Sequence, residues 1–275
     1  MNRDHPNTLD PETVRAFGTR VDFGATAEDY AKHRAGFPAR FFAELAARGL
    51  LLRDEPALDL GTGTGTVARG LARAGMKVIG LDPAASLLEQ AKTLAAAEGL
   101  SVDYRAGKAE DAAQFAPESF ALIVAGQCWH WFEREKAAAN AFRWLAPGGA
   151  LVIAHFDWLP LPGNVVAATE ALILRHNPAW AMGGGSGFYP GWASDLSGAG
   201  FLAVESLSFD VAVPYSHEAW RGRIRASAGV SASLSPHEVD AFDADHAAML
   251  KREFPLEPLE IPHRCWAVWG RKPKG

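Results

Sequence analysis

The chain has 275 residues and only two cysteines, Cys128 and Cys265. They stand far apart, with no C-x-x-C pair and no zinc-ligand spacing. A disulfide framework is therefore not expected, and a reducing cytoplasmic compartment is. Long apolar runs are missing too, so no segment reaches the length of a membrane span. The first eighteen residues carry acids and prolines where a secretory leader needs an apolar stretch. Nor is there an excess of positive charge: 27 Lys and Arg stand against 32 Asp and Glu, a net charge of −5. Without a global basic footprint, nucleic acid is not an expected partner. The chain has no G-x-S-x-G nucleophile elbow and no phosphate loop ending in Gly-Lys-Ser/Thr. What it does have is a globular composition, 48% hydrophobic and 21% charged, which argues against disorder. Its nine tryptophans suggest a small-molecule pocket, because flat aromatics often line such pockets.

From about Pro56 to Phe156, strand and helix patterns alternate. Short apolar runs at Ala57–Leu60, Lys77–Leu81, Val102–Arg105, Phe120–Ala125 and Ala150–Phe156 read as buried strands. Between them, Thr66–Ala74, Ala84–Glu98 and Glu133–Leu145 read as helices stopped by glycine or Pro-Gly-Gly. Such alternation predicts a parallel sheet wound by right-handed crossovers. The organisation expected is one compact domain. Residues 1–52 form an N-terminal helical cap segment, 53–156 the cofactor-binding core and 157–200 an insertion. Residues 201–275 return to the core around a helical cap insertion at about 216–260. Phe201–Tyr215 and Cys265–Gly270 are the remaining strands, and Val165–His176 is a helix.

The informative string is Leu58-Asp59-Leu60-Gly61-Thr62-Gly63-Thr64-Gly65. Glycines directly after a buried strand let the backbone turn sharply and approach a ligand, and the following helix presents free N–H groups. A dinucleotide frame starting at Gly61 fails at Thr66. One starting at Gly63 fits through Gly65 and Ala68, so a nicotinamide-dependent oxidoreductase stays open. An acid at Asp59, in the strand end just before the turn, suits an ammonium group better than a pyrophosphate. Asp82 closes the second strand, some twenty residues after the glycines. There it can reach a ribose hydroxyl pair in either cofactor class.

At these residues the chain resembles the class I S-adenosylmethionine-dependent methyltransferases. LDLGTGTGTVARGL is similar to their first motif and VIGLDP to their second. GKAEDAAQF is similar to the adenine-contacting segment, and LAPGGALVIA to the turn into their fifth strand. The four occur in order across about a hundred residues, and jointly they are specific. The segment Ala27–Pro38 also resembles the lead-in of the trans-aconitate methyltransferase-like small-molecule group, with Ala35-Gly36 in place of the Pro-containing pair. The resemblance implies a Rossmann-like α/β fold: a seven-stranded, mostly parallel sheet with an antiparallel last strand, capped by N-terminal helices and insertions. It implies S-adenosylmethionine as cofactor. Tyr30 would lie near the sulfonium and Arg34 near the cofactor carboxylate. Asp59, Gly61 and Gly63 would hold the amino-acid end, Asp82 with Pro83 the ribose, and Ala109 with Glu110 the adenine. Gln127 would lie beside the methionine portion.

Ligands of open α/β sheets bind beyond the carboxyl ends of the strands. There the chain carries Gln127-Cys128-Trp129-His130-Trp131-Phe132, and the resembled group often has a His-Trp pair at this place. His130 is the candidate catalytic base. Positioning a ligand, or satisfying backbone groups, are its alternative roles. Trp129, Trp131, His155, Trp158, Trp220 and Arg221 are candidate substrate-pocket residues. For the tryptophans, core packing is the plain alternative. For Arg221, which shares a helix face with Arg225, it is a solvated surface. His155 and Asp157 invite a metal, but Gln127 and Cys128 stand where metal-dependent enzymes need carboxylates, so none is expected. The glycines of Gly183–Gly187 either hinge a lid or form a surface loop. The expected reaction is methyl transfer to a small molecule, with oxygen favoured over nitrogen or carbon. A catalytically silent binding module is the further alternative.

Overall fold

The computed structural model describes residues 36–231 and 233–274. Seven strands make one sheet: β1 (Pro56–Leu60), β2 (Lys77–Asp82), β3 (Val102–Ala106), β4 (Phe120–Gly126), β5 (Leu145–Trp158), β6 (Leu202–Tyr215) and β7 (Leu259–Arg271). Their order is β3-β2-β1-β4-β5-β7-β6. β1 to β5 pair in parallel, and β7 runs antiparallel between β5 and β6. The winding reverses between β1 and β4, which makes their carboxyl ends the topological switch point where such sheets bind ligands.

Alternation along the strands builds a core on each face. Ala150, Val152, Ala154 and Phe156 of β5 face one side, with α1 (Ala39–Ala47), α2 (Thr66–Arg73) and α3 (Ala85–Ala97). Leu151 and Ile153 face the other, with α4 (Arg134–Trp144) and α6 (Trp192–Gly198). Covered on both sides, residues 150–154 of β5 read as an uninterrupted apolar run. A third cluster lies in the cap, where α5 (Val165–His176), α7 (His217–Arg225) and α8 (Pro236–Glu253) enclose Trp220, Phe242 and Ile224. Local chemistry starts each cap helix. Asn164 accepts from the Ala167 N–H at 2.8 Å, and Ser216 accepts from the Ala219 N–H at 3.1 Å. Ser235 and Glu238 form a reciprocal capping box around Pro236. Each such cap contributes about 1 kcal/mol.

Two strands run longer than their apolar runs suggest. β5 begins at Leu145, so Pro147-Gly148-Gly149 lies within it, at a register shift opposite β4. β7 begins at Leu259, where charged residues and Pro262 mask a strand buried on alternate positions. Of the expected 1–52 cap segment, the described part holds α1; residues 1–35 lie outside the described residues. Among the described residues, no helix is long and apolar enough to cross a membrane.

Candidate functional site

The turn after β1 is built around two carboxylates. Asp59, 1% exposed, accepts from the Thr62 hydroxyl at 2.6 Å and from the Ala68 N–H at 2.9 Å. The second bond places its charge in the first turn of α2. Burial pushes the Asp59 carboxyl up to about 7, against the Thr62 and Ala68 hydrogen bonds, with the Asp82 charge adding to the rise. Asp82, at the end of β2, accepts from the Gly63 N–H at 2.9 Å and from the Ala84 N–H at 2.8 Å. Burial raises it as well, opposed by those two bonds. Pro83 beside it is exposed.

Two of the glycines here are required for different reasons. Gly61 has φ +62°, and a Cβ on it would lie 2.8 Å from the Cys128 sulfur. The turn after β1 and the turn after β4 therefore touch across the switch point. Gly63 has φ +53°, and among the described residues no heavy atom lies within 4 Å of where its Cβ would be. It leaves a cradle beside Asp82.

This site suits an amino-acid nucleoside better than a dinucleotide. A pyrophosphate at the α2 N-terminus would meet the Asp59 carboxylate, which already takes the Ala68 N–H. An ammonium group would instead relieve that buried acid. Asp82 keeps acceptor capacity on both oxygens for a ribose diol. The residues thus fit S-adenosylmethionine.

The turn after β4 carries the candidate reacting residues. Gln127 has φ +61°, sparsely populated for a residue with a side chain. Its N–H donates to the Ala154 carbonyl at 2.8 Å, and its side-chain amide donates to the Phe156 carbonyl. Both bonds lash the turn onto β5. A 3-10 turn, Trp129–Trp131, follows and delivers His130. His130 Nδ1 lies 3.2 Å from His155 Nε2, and His155 Nδ1 lies 3.1 Å from an Asp157 oxygen. The Tyr189 hydroxyl donates to the same Asp157 oxygen at 2.6 Å. Burial alone would raise the Asp157 carboxyl, but the His155 charge and hydrogen bond, Tyr189 and His130 hold it down at about 2. Burial, with Asp157 adding to it, pushes the Tyr189 phenol well up.

These contacts fix the tautomers. A carboxylate only accepts, so His155 carries its proton on Nδ1 and offers a lone pair at Nε2. His130 then donates from Nδ1, so the acceptor nitrogen of its ring is Nε2. The arrangement orients the His130 ring through a second imidazole.

The structure brings Asp59, Gly61, Gly63, Asp82, Gln127, His130 and His155 to the carboxyl ends of β1, β2, β4 and β5. Trp131 lies against His130, with ring centroids 4.6 Å apart. Ala109 is buried, and its carbonyl accepts from Asn140 at 2.9 Å. Glu110 accepts from the Glu133 N–H at 3.1 Å, at the start of α4.

Three expected pocket residues lie elsewhere. Trp129 is fully buried in the core and donates to Asp195 at 2.8 Å. Trp220 is fully buried in the cap and donates to Thr169 at 3.1 Å. Both indoles fill space that only a large apolar ring can fill. Arg221 pairs with Asp243 and with Glu218, so its charge is spent within the cap. Tyr30 and Arg34 lie outside the described residues. The Gly183–Gly187 loop is tied at both ends: the Gly184 N–H donates to Glu170 at 2.7 Å, and the Ser186 carbonyl accepts from Arg264 at 2.9 Å.

Sequence reasoning missed Asp157 as the orienting acid, although its i,i+2 spacing from His155 puts both on one strand face. It also missed Tyr189, for which a loop carries no periodic signal. Among the described residues, no three His, Cys, Asp or Glu side chains converge as a metal site would need.

A family model for the methyltransferase domain matches residues 58–153. The ubiquinone biosynthesis O-methyltransferase of Xanthomonas euvesicatoria pv. vesicatoria is 27% identical over 188 residues, 67% of this chain and 75% of that protein. The enzyme of the same name from Rhizobium etli is 36% identical over 101 residues, 36% of this chain and 40% of that protein. Among solved structures, a putative type II methyltransferase from Anaeromyxobacter dehalogenans aligns with a TM-score of 0.58. It is 21% identical, covering 88% of this chain and 99% of that one. Phosphoethanolamine N-methyltransferase 2 of Haemonchus contortus, in complex with S-adenosyl-L-methionine, aligns at 0.54 and 18% identity. That alignment covers 99% of this chain and 60% of that one.

Proposed function

Because the chain is a class I S-adenosylmethionine-dependent methyltransferase, we propose that it methylates an oxygen of a small organic acceptor, with His130 as the base. The His130–His155–Asp157 alignment carries this reading. A hydroxyl acceptor must lose a proton as it becomes an ether, so it needs a base; a carboxylate acceptor does not. The names of the relatives, O-methyltransferases of ubiquinone biosynthesis, favour the same atom.

When bound, S-adenosylmethionine supplies an electrophilic methyl group. The chain's own residues do the rest. Asp59 would hold the ammonium and Asp82 the ribose hydroxyls, while the turns at Gly61 and Gly63 would let the backbone come close. Gln127 holds the turn after β4 against β5, which fixes His130 relative to the cofactor cradle. Orientation of this kind supplies much of the rate of an in-line displacement. The acceptor hydroxyl gives its proton to His130 Nε2. Transfer of the Nδ1 proton onto His155 Nε2 then puts the imidazolium charge beside the Asp157 carboxylate, where it is neutralised. Tyr189 and Trp192, stacked at 4.3 Å, close over His155 and keep this path dry.

The test is His130→Ala. Turnover falls by roughly 10²–10⁴-fold, while calorimetric affinity for S-adenosylhomocysteine stays within about twofold of wild type. Retained turnover in a variant that still binds the cofactor product would remove the base role.

A further inference from the structure

α7 presents three arginines, and only two of them are matched by acids. Arg225 reaches Asp243 at 2.9 Å and Glu218 at 3.5 Å, and Arg221 is bound to the same two acids. Arg223 is two residues from each, about 200° around the helix, and faces inward. Its guanidinium carbon lies 4.7 Å from the Trp158 ring centroid. Among the described residues it makes no hydrogen bond or ion pair. Burial lowers its pKa, opposed by Tyr215 and Asp157, neither of which pairs with it. Burial and the Arg223 charge also hold His263 down, at about 4. A half-buried guanidinium without a counter-charge is costly.

The surface around it is rigid. Trp158 donates its indole N–H to Glu170 at 2.8 Å and packs edge-on against Trp220 at 5.5 Å. Tyr215 lies parallel to His263, 6.3 Å away. Trp158 directly follows Asp157 on β5, so Arg223 stands at the same strand end as the acid that orients His155.

We propose that Arg223 anchors a carboxylate of the methyl acceptor. On the reading above, on which this role rests, the acceptor is a hydroxy acid: its carboxylate meets Arg223, its apolar body lies along Trp158, and its hydroxyl faces His130. A monoanion fits better than a phosphate. One cation is present, and the ionised Asp157 nearby repels a dianion.

The experiment titrates acetate, benzoate, benzamide and phenyl phosphate into the full chain, with and without S-adenosylhomocysteine, by calorimetry. It uses wild type, Arg223→Met and Arg223→Lys. The expected result is saturable binding of benzoate or acetate and none of benzamide. Carboxylate binding is at least tenfold weaker in Arg223→Met and intermediate in Arg223→Lys. S-adenosylhomocysteine affinity is equal in all three, and the melting temperature of Arg223→Met is no lower than that of wild type. The proposal is overturned if neither carboxylate saturates, if Arg223→Met binds them as well as wild type, or if phenyl phosphate binds tenfold tighter than benzoate. Arg223-dependent carboxylate binding without any S-adenosylhomocysteine binding would keep the anion site and sink the methyltransferase reading instead.

Discussion

Replacing Asp59 by Asn should make the protein more stable and less able to bind its cofactor, and the stability gain should depend on pH. The Asp59 carboxyl is 1% exposed and titrates near 7 when folded, against 3.8 for a free side chain. Its neighbours are Thr62, Ala68, Asp82 and Arg69. The folded chain therefore holds this proton up to about pH 7, while the unfolded chain has released it by about pH 5. Stability from this group falls as pH rises from about 4 to 7 and is level above that. Relative to strong acid, this group costs on the order of 4 kcal/mol of stability at pH 8 and about 1–2 kcal/mol at pH 5. Asparagine is isosteric and its carbonyl can still accept from Thr62 and Ala68, but it does not titrate. Whatever fixed offset the substitution brings, its advantage over wild type should grow by on the order of 3 kcal/mol between pH 5 and pH 8, or roughly 6–10 °C in melting temperature. Thermal denaturation at the two pH values, without ligand, reads this directly. S-adenosylhomocysteine affinity at pH 8 should fall by roughly 10- to 100-fold, the loss of one charge-assisted hydrogen bond. A stability difference that is the same at both pH values would refute the reasoning, because it would mean the carboxylate is ionised in the folded protein throughout.

Asp157→Asn removes the charge that orients His155. Turnover should drop by on the order of 10²-fold with cofactor affinity unchanged; wild-type turnover in this variant would deny Asp157 its positioning role. Trp220→Ala should lower stability by about 3–5 kcal/mol, since the ring is fully buried in the cap; an acceptor KM raised without any loss of melting temperature would return Trp220 to the pocket.

The parts of this architecture that are local in sequence were legible in it. Strands covered on both faces are apolar runs, and the glycine turn and its flanking acids are contiguous, so β1 to β5 and the Asp59–Asp82 pair follow from patterning alone. β7 was read six residues too short at its start, because charged side chains alternate with buried ones there and Pro262 interrupts the run. Asp157 is local to His155 on β5, whereas Tyr189 and Arg223 depend on contacts between distant segments. Tyr189 reaches Asp157 from a loop 32 residues away. The i,i+4 spacing of Arg221 and Arg225 marks the opposite face of α7, where the acids are, and Arg223 between them carries no signal of its own. Trp129 and Trp220 were drawn into the pocket by their residue type, which serves a core as well as a binding wall.

The measurement that bears most directly on the account is a calorimetric titration of the chain with S-adenosylhomocysteine, run in parallel with NADH and NADPH. The account predicts one-site binding of S-adenosylhomocysteine, weakened in Asp59→Asn and Asp82→Ala, and none of either nicotinamide. Binding of a nicotinamide without binding of S-adenosylhomocysteine would contradict it, and would make Gly63-Gly65-Ala68 the operative turn of an oxidoreductase.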